Sequence, residues 1–264
     1  MLVTVIPAQN EEKRIGVLLS HLRLFPEADD IVIILNGSQD NTRQVICESS
    51  DPRLRLLEFK ESLGFDVPRA IGAKIALESG ADKILFVDGD LIGNFTSELK
   101  QMFVTMEAKG YDLALTDCYP IKKATPPMVK KMLYYRQFLN TTIGYQNLGV
   151  ASPSHGPLLI SRSLLEQVPL RELAIPPVFL ALAAKKKAKI GIATAIPHLQ
   201  LGSSIKNSEH SRLITETIIG DCLEAANLFL YQKRHRSDGR AIYVGYHNER
   251  RFDILDNFLA ETNS

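Results

Sequence analysis

The sequence predicts an α/β domain built on a mostly parallel sheet, with helices on both faces and a helical C-terminal extension. Short apolar runs alternate with segments of helical spacing through the first half of the chain, the pattern of strands joined by crossover helices. Each run ends in turn-forming residues, as buried parallel strands do. The chain has 264 residues, 45% hydrophobic and 23% charged, ample for one large core.

Leu2 to Ile6 reads as a first strand stopped by Pro7. "NEEKRIGVLLSHLRLF" has apolar residues at Ile15, Leu18, Leu19 and Leu22 and predicts a helix with acids in its first turn. "DIVIILN" is a second strand, followed by the turn "NGSQDNT". "TRQVICESS" is a helix, "RLRLLEF" a third strand, "DVPRAIGAKIALESGA" a helix and "DKILFVD" a fourth strand. The second half alternates less cleanly. "DLALTD" is a strand, "PPMVKKMLYYRQFLNTTIG" a helix with an aromatic patch, and "GPLLISRSLLEQV" a strand running into a helix. "IPPVFLALAAKKKAK" is a helix opened by prolines, "IGIATAIPHL" a strand, and "HSRLITETIIGDCLEAANLFLYQKR" a long amphipathic helix. The rest, rich in charge and aromatics, packs on the domain or serves a partner chain.

The formal net charge of +1 gives no global field toward nucleic acid or a membrane, so nucleic acid is not an expected partner. The three cysteines, Cys47, Cys118 and Cys222, show neither metal-ligand spacing nor a disulfide framework, which suits a reducing cytoplasm. "MLVTVIPAQNEE" is too short an apolar run for a signal peptide, and no window suits a membrane span. The run "FLALAA" before "KKKAK" leaves peripheral membrane contact open.

Ligands of parallel sheets bind outside the carboxyl ends of the strands. Pro7, Asn36 to Asp40, and Asp88 to Asp90 all fall at such ends. In "ILFVDGDLIG" two acids follow a buried strand with only Gly89 between them. A D-x-D pair there presents carboxylates to one crevice, where Mg²⁺ or Mn²⁺ shared with substrate phosphates would suit them. The competing explanation is a turn, with Asp capping backbone amides and Gly89 supplying an unusual dihedral.

"VTVIPAQNEEKRIGVLL", "IVIILNGSQDNT", "DVPRAIGAKIALESGADKILFVDGDLI" and "GPLLISRSLLEQVPL" together resemble a GT-A-fold, family 2-type nucleotide-sugar glycosyltransferase. "PAQNEE", "DGDLI" and a late "EH" are most similar to the retaining glucosyl-3-phosphoglycerate synthase and mannosylglycerate synthase-like group. The resemblance implies that Pro7, Ala8, Gln9 and Glu11 line a base and ribose site, with Ser38 beside the base. Many relatives have an Asp where Asn36 or Gly37 stands. Arg69 falls where relatives have a Lys near the diphosphate; a solvated helix charge is its bland explanation. Asp88 would contact ribose or metal, and Asp90 would be the main metal ligand, closed by a His. Of His198 and His210, His210 matches better.

"SPSHGPLLIS" matches a segment beside sugar and acceptor, which offers His155 with Asp90 as the catalytic pair. Asp117, Tyr119, Lys122 and Lys123 follow a strand, where the lysines suit an acidic acceptor or a solvated loop.

The expected organisation is a donor-binding half over residues 1–118, an acceptor-binding half over 119–225 and a C-terminal extension over 226–264. The expected enzyme is a cytoplasmic, Mg²⁺- or Mn²⁺-dependent hexosyltransferase using a UDP- or GDP-sugar, a small or lipid-linked acceptor, and retention. A homodimer through the C-terminal extension stays open. So do a nucleotidyltransferase and a non-catalytic nucleotide-sugar-binding module, though the Gly-rich basic start of the former is missing from "PAQNEEKRIG".

Overall fold

The computed structural model describes residues 1–120, 125–203 and 207–261. Its elements run β1 (Leu2–Ala8), α1 (Ile15–Leu22), β2 (Asp30–Asn36), α2 (Thr42–Glu48), β3 (Leu54–Phe59), α3 (Val67–Glu78), β4 (Lys83–Phe86), α4 (Thr96–Lys109) and β5 (Leu113–Asp117). They continue with α5 (Pro127–Thr142), β6 (Leu158–Ser161), α6 (Arg162–Leu165), α7 (Pro176–Lys185), β7 (Ile190–Ala195), α8 (His198–Leu201), α9 (Ser208–Tyr231) and α10 (Phe252–Ala260).

The seven strands form one sheet in the order β3-β2-β1-β4-β6-β5-β7. Only β6 runs against its neighbours, β4 and β5. Successive residues of the central strands point to opposite cores, as the two-residue strand period requires. Val3, Val5, Val32, Ile34, Ile84 and Phe86 join a core with α3, α5, α7 and α9. Leu2, Ile6, Ile31, Ile33, Leu35 and Leu85 join a second core with α1 and α4. Each such buried Val, Leu, Ile or Phe contributes about 1.5–3 kcal/mol relative to exposure, so the sheet is held from both faces.

Three local expectations are corrected. Pro7 does not stop β1, which pairs with β2 through Ala8. Pro7 lacks only a donor, and its carbonyl still accepts from Gly89 N at 3.0 Å. The acids Glu11 and Glu12 precede α1 instead of filling its first turn, because Asn10 adopts φ +55° and breaks the helical path. α4 is an element that the sequence reading does not assign. Only Leu99, Met102 and Met106 are buried along it, too thin a stripe to stand out.

The C-terminal segment packs on its own domain. Arg250 donates to both oxygens of Asp221 at 2.8 and 2.7 Å. Arg236 Nη1 bridges Asp221 and Glu224 at 2.6 and 3.0 Å. α10 lies on α3, where Lys74 Nζ donates to the carbonyls of Phe258 and Glu261 at the end of α10. Among the described residues no helix is long and apolar enough to cross a membrane.

Candidate active site

The loop after β1 is joined to the loop after β2 by backbone amides that meet side chains. Asn10 N donates to Ser38 Oγ at 3.0 Å, Glu11 N to Thr42 Oγ1 at 2.7 Å, and Glu12 N to Asp40 Oδ2 at 3.1 Å. Gln39 N returns a bond to Asn10 Oδ1 at 2.8 Å. Asn10 can hold its left-handed backbone because Asn tolerates it better than most residues.

The Asp88-Gly89-Asp90 turn packs against this loop. A Cβ on Gly89 would stand 2.9 Å from Pro7 O and 3.0 Å from Ala8 Cβ. Close approach, not an unusual dihedral, therefore requires glycine here; Gly89 is absent from the positive-φ residues. From the other side, Arg14 Nη1 donates to Asp90 O at 3.2 Å and Gly202 O at 2.7 Å. Gly93 N donates to Leu201 O at 3.0 Å. The segment after β7 is thus strapped across the D-x-D turn.

Arg69 comes up from the first turn of α3. It is only 4% exposed, which removes the solvated-charge explanation. Its Nη2 donates to Asp88 Oδ1 at 2.5 Å, and its Nε lies 3.2 Å from Asp66 Oδ1. Burial raises both carboxyls above the usual range, Asp66 to about 6, while Arg69 opposes the shift at each.

A cavity of about 870 Å³ opens at these strand ends. That is within the range of small-molecule sites and roomy enough for a nucleotide sugar. It is lined by Pro7, Ala8, Gln9, Glu11, Arg69, Asp88, Asp90, His155, His198 and His210, so it gathers every singled-out binding residue except Ser38. Ser38 stands behind the wall, holding Asn10. Lys122 and Lys123 lie outside the described residues. Asn36 reaches the lining with its side chain engaged: Leu63 N donates to its Oδ1 at 2.6 Å, and its Nδ2 donates to Gly64 O at 3.4 Å. Asp117 and Glu172 are not part of the lining.

The two candidate metal histidines occupy different surroundings. His210 sits in the first turn of α9, its Nδ1 2.8 Å from the Tyr246 hydroxyl and its ring 6.2 Å from that of Phe65. His198 Nδ1 lies 3.1 Å from His155 Nε2, and Tyr119 stacks on both rings. Burial pushes both of these histidines below their ordinary value, and the positive charge of Arg136 pushes the same way. Both are therefore neutral at pH 7.

Among the described residues, the cluster of metal-ligand type is Asp221, Glu224 and His247, whose ligand atoms lie within 4.8 Å of one another. Arg236 and Arg250 already fill it with positive charge, so its carboxylates are neutralised without an ion.

The sequence reading passes over Arg136, Asp66, Phe65 and Tyr246, all of which line the cavity. Arg136 had a readable signal. It shares one helical stripe with Met132, Tyr135, Leu139 and Asn140, the other buried residues of α5. The others reach the site through tertiary packing. Phe65 and Tyr246 stack at 4.8 Å although 181 positions separate them (246 − 65).

Residues 4–168 match the family described as Glycosyl transferase family 2. No curated protein sequence matches the chain. Among solved structures, a mycobacterial protein superposes with a TM-score of 0.63 at 16% identity, covering 86% of this chain and 75% of that one. Glucosyl-3-phosphoglycerate synthase from Mycobacterium tuberculosis, in complex with Mn²⁺, UDP and glucosyl-3-phosphoglycerate, gives 0.60 at 15% identity, covering 84% and 80%. The same enzyme with Mn²⁺, UDP-glucose and phosphoglyceric acid gives 0.60 at 17%, covering 84% and 79%. At these identities the likeness is one of fold. With a sheet of order 3-2-1-4-6-5-7, a cavity at its strand ends and a family match over more than half its length, this chain has the GT-A fold and belongs to glycosyl transferase family 2.

Proposed function

We propose that the chain is a hexosyltransferase that moves a sugar from a UDP- or GDP-sugar to a small or lipid-linked acceptor, with Mg²⁺ or Mn²⁺ and with retention of configuration. The observation that carries this reading is the convergence of three segments on one cavity: Pro7 to Gln9, Arg69 in the first turn of α3, and the Asp88–Asp90 turn that Arg69 holds. In this reading Pro7, Ala8, Gln9 and Glu11 border the base and ribose, and Ser38 acts indirectly by fixing Asn10. Arg69 offers phosphate oxygens a charge-assisted partner while it holds Asp88 in place.

The donor set fits a hard cation completed by substrate oxygens. Asp88, Asp90 and His210 share the lining but, among the described residues, do not bring three ligand atoms within 4.8 Å of one another, which leaves coordination positions for substrate oxygens. A cation held by Asp90, His210 and substrate phosphates would offset the charge that develops on a departing diphosphate. In this reading His155, on the same wall, would hydrogen-bond sugar or acceptor.

Retention rests on the resemblance to retaining enzymes; acids do line the cavity, Asp66 and Glu249 among them, but Asp117 and Glu172 do not. An inverting enzyme needs a carboxylate to act as base, and neither of these two acids faces the cavity. Asp117 accepts from Tyr119 N at 2.9 Å, and Glu172 accepts from Arg234 at 2.6 Å. Same-face attack, with the leaving diphosphate taking the acceptor's proton, needs placement more than a protein base. A homodimer through the C-terminal segment has less behind it, since α10 is packed on α3 of the same chain.

Calorimetric titration with UDP and GDP, with and without Mn²⁺, tests the donor site. Metal should tighten nucleotide binding, and Asp90→Asn should remove that gain while leaving the fold intact. Metal-independent binding, unchanged in Asp90→Asn, would count against the reading. NMR of the product's anomeric proton tests retention: an α-linked donor should give an α-linked product.

A further inference from the structure

α5 carries one charged residue on its buried stripe. Arg136 is 1% exposed and is the largest fully buried side chain of the molecule's described residues. Its Nε and Nη2 are shut off from solvent and hydrogen-bond to nothing among the described residues. The titratable groups that face it are Tyr119, Cys118 and Cys222. None is anionic at neutral pH, because burial raises the tyrosine and pushes both thiols up to about 12. His155 and His198 also face it and add no negative charge.

A guanidinium withdrawn from water needs an anion and acceptors for its N–H groups, and the described residues supply neither a negative charge beside it nor a partner for its Nε and Nη2. The side chain is not sealed in the core, however. It forms part of the cavity wall with Tyr119, Met132, Ser154 and His155. Arg69, the other arginine of that wall, is already shared between Asp66 and Asp88.

We infer that Arg136 is the anion-binding end of a second subsite in this cavity, taking a carboxylate or phosphate group that the substrate carries apart from the nucleotide's diphosphate. The planar guanidinium suits such a group because it can donate two parallel bonds. The inference deepens the transfer reading, from which the word substrate comes; the anion site itself rests on Arg136 alone. The anion has two sources, an acidic acceptor or an acidic sugar on the donor.

The first test is thermal unfolding of the whole chain with inorganic phosphate, for wild type and Arg136→Met. Methionine keeps the length and drops the charge, and losing an unpaired buried charge does not weaken a fold. Arg136→Lys, which keeps charge without the fork, is the second variant. Phosphate should raise the Tm of wild type in proportion to the logarithm of its concentration, raise that of Arg136→Lys less, and raise that of Arg136→Met least, by what Arg69 alone can bind.

The second test separates the sources by paired titrations. With UDP and Mn²⁺ present, glycerol 3-phosphate against glycerol reports an anionic acceptor. UDP-glucuronic acid against UDP-glucose reports an anionic donor sugar. The preferred anion should bind about 10- to 100-fold more weakly to Arg136→Met. A phosphate shift as large in Arg136→Met as in wild type, or absent from wild type, overturns the inference. Equal binding within both pairs does so too. A phosphate shift that holds while UDP fails to bind removes the nucleotide reading instead and leaves the Arg136 site standing.

Discussion

Asp66 shows how much one side chain near the cavity can cost the fold. Its backbone is left-handed at φ +61°, and burial raises its carboxyl from 3.8 to about 6 despite Arg69 and Arg250. A carboxyl raised in the folded state holds its proton more tightly there, so its contribution favours folding at low pH and is lost as pH climbs from about 4 through about 6. Asn tolerates the left-handed backbone. Asp66→Asn should therefore stabilise the protein at about pH 7.5 and change little at about pH 4. Urea unfolding at the two pH values checks this; an equal effect at both would remove the role given to the proton. At Gly89 the argument is steric. Gly89→Ala places a methyl against Pro7 O, an overpacking that costs roughly 1–3 kcal/mol or displaces the turn. Weakened UDP binding with metal present is the expected readout. The sequence made Asp88, Gly89 and Asp90 visible because two acids after a buried strand demand explanation. It hid the part of Asp66, because nothing in "GFDVPR" reveals that two arginines distant in sequence or turn will share its carboxyl.

Among elements, the loops at the ends of β1 and β2 act as one unit. Thr42 Oγ1 accepts from Glu11 N at 2.7 Å and donates to Asp40 Oδ1 at 2.5 Å. Thr42 is fully buried, so Thr42→Val leaves the Glu11 amide without a partner at a cost of about 1–3 kcal/mol. The loop that borders the proposed base site should loosen with it. Loss of UDP affinity larger than the loss of overall stability is the expected pattern, measured by titration and by unfolding of the same variant. Element types were largely readable here. β2 matches its apolar run, and α7 begins at its prolines as expected. The reversal of β6 was not readable, since strand direction depends on what lies between strands. α5 and a long loop separate β5 from β6, and no local pattern encodes which way the chain re-enters the sheet.

At the scale of the whole molecule, the last thirty or so residues complete the domain through charge as well as through apolar contact. Arg250 is buried with Asp221, and Arg236 ties Asp221 to Glu224. Removing one partner of such a group leaves another buried and uncompensated, which costs about 3–5 kcal/mol. Arg250→Met should lower the urea midpoint with little change in slope, as expected for lost stability in an intact two-state fold. An unchanged midpoint would mean that Asp221 is satisfied without it. The sequence left this segment open between packing and partnership. Its alternation of arginines and aromatics carries no helical or strand period, and its acidic partners sit on a helix whose stripe reads as ordinary core.

The same segment supplies Tyr246 and Glu249 to the cavity wall, while Lys233 and Arg240 lie exposed in the stretch that leads to it. The cavity is therefore assembled from two lengths of polypeptide joined by a link that trypsin can reach. A cut there would leave the smaller fragment gripped by Arg250 and the α3–α10 contact, without its covalent tether. Nicked protein should run as one species under native conditions and as two in denaturant, and the separated fragments should reconstitute nucleotide binding when mixed.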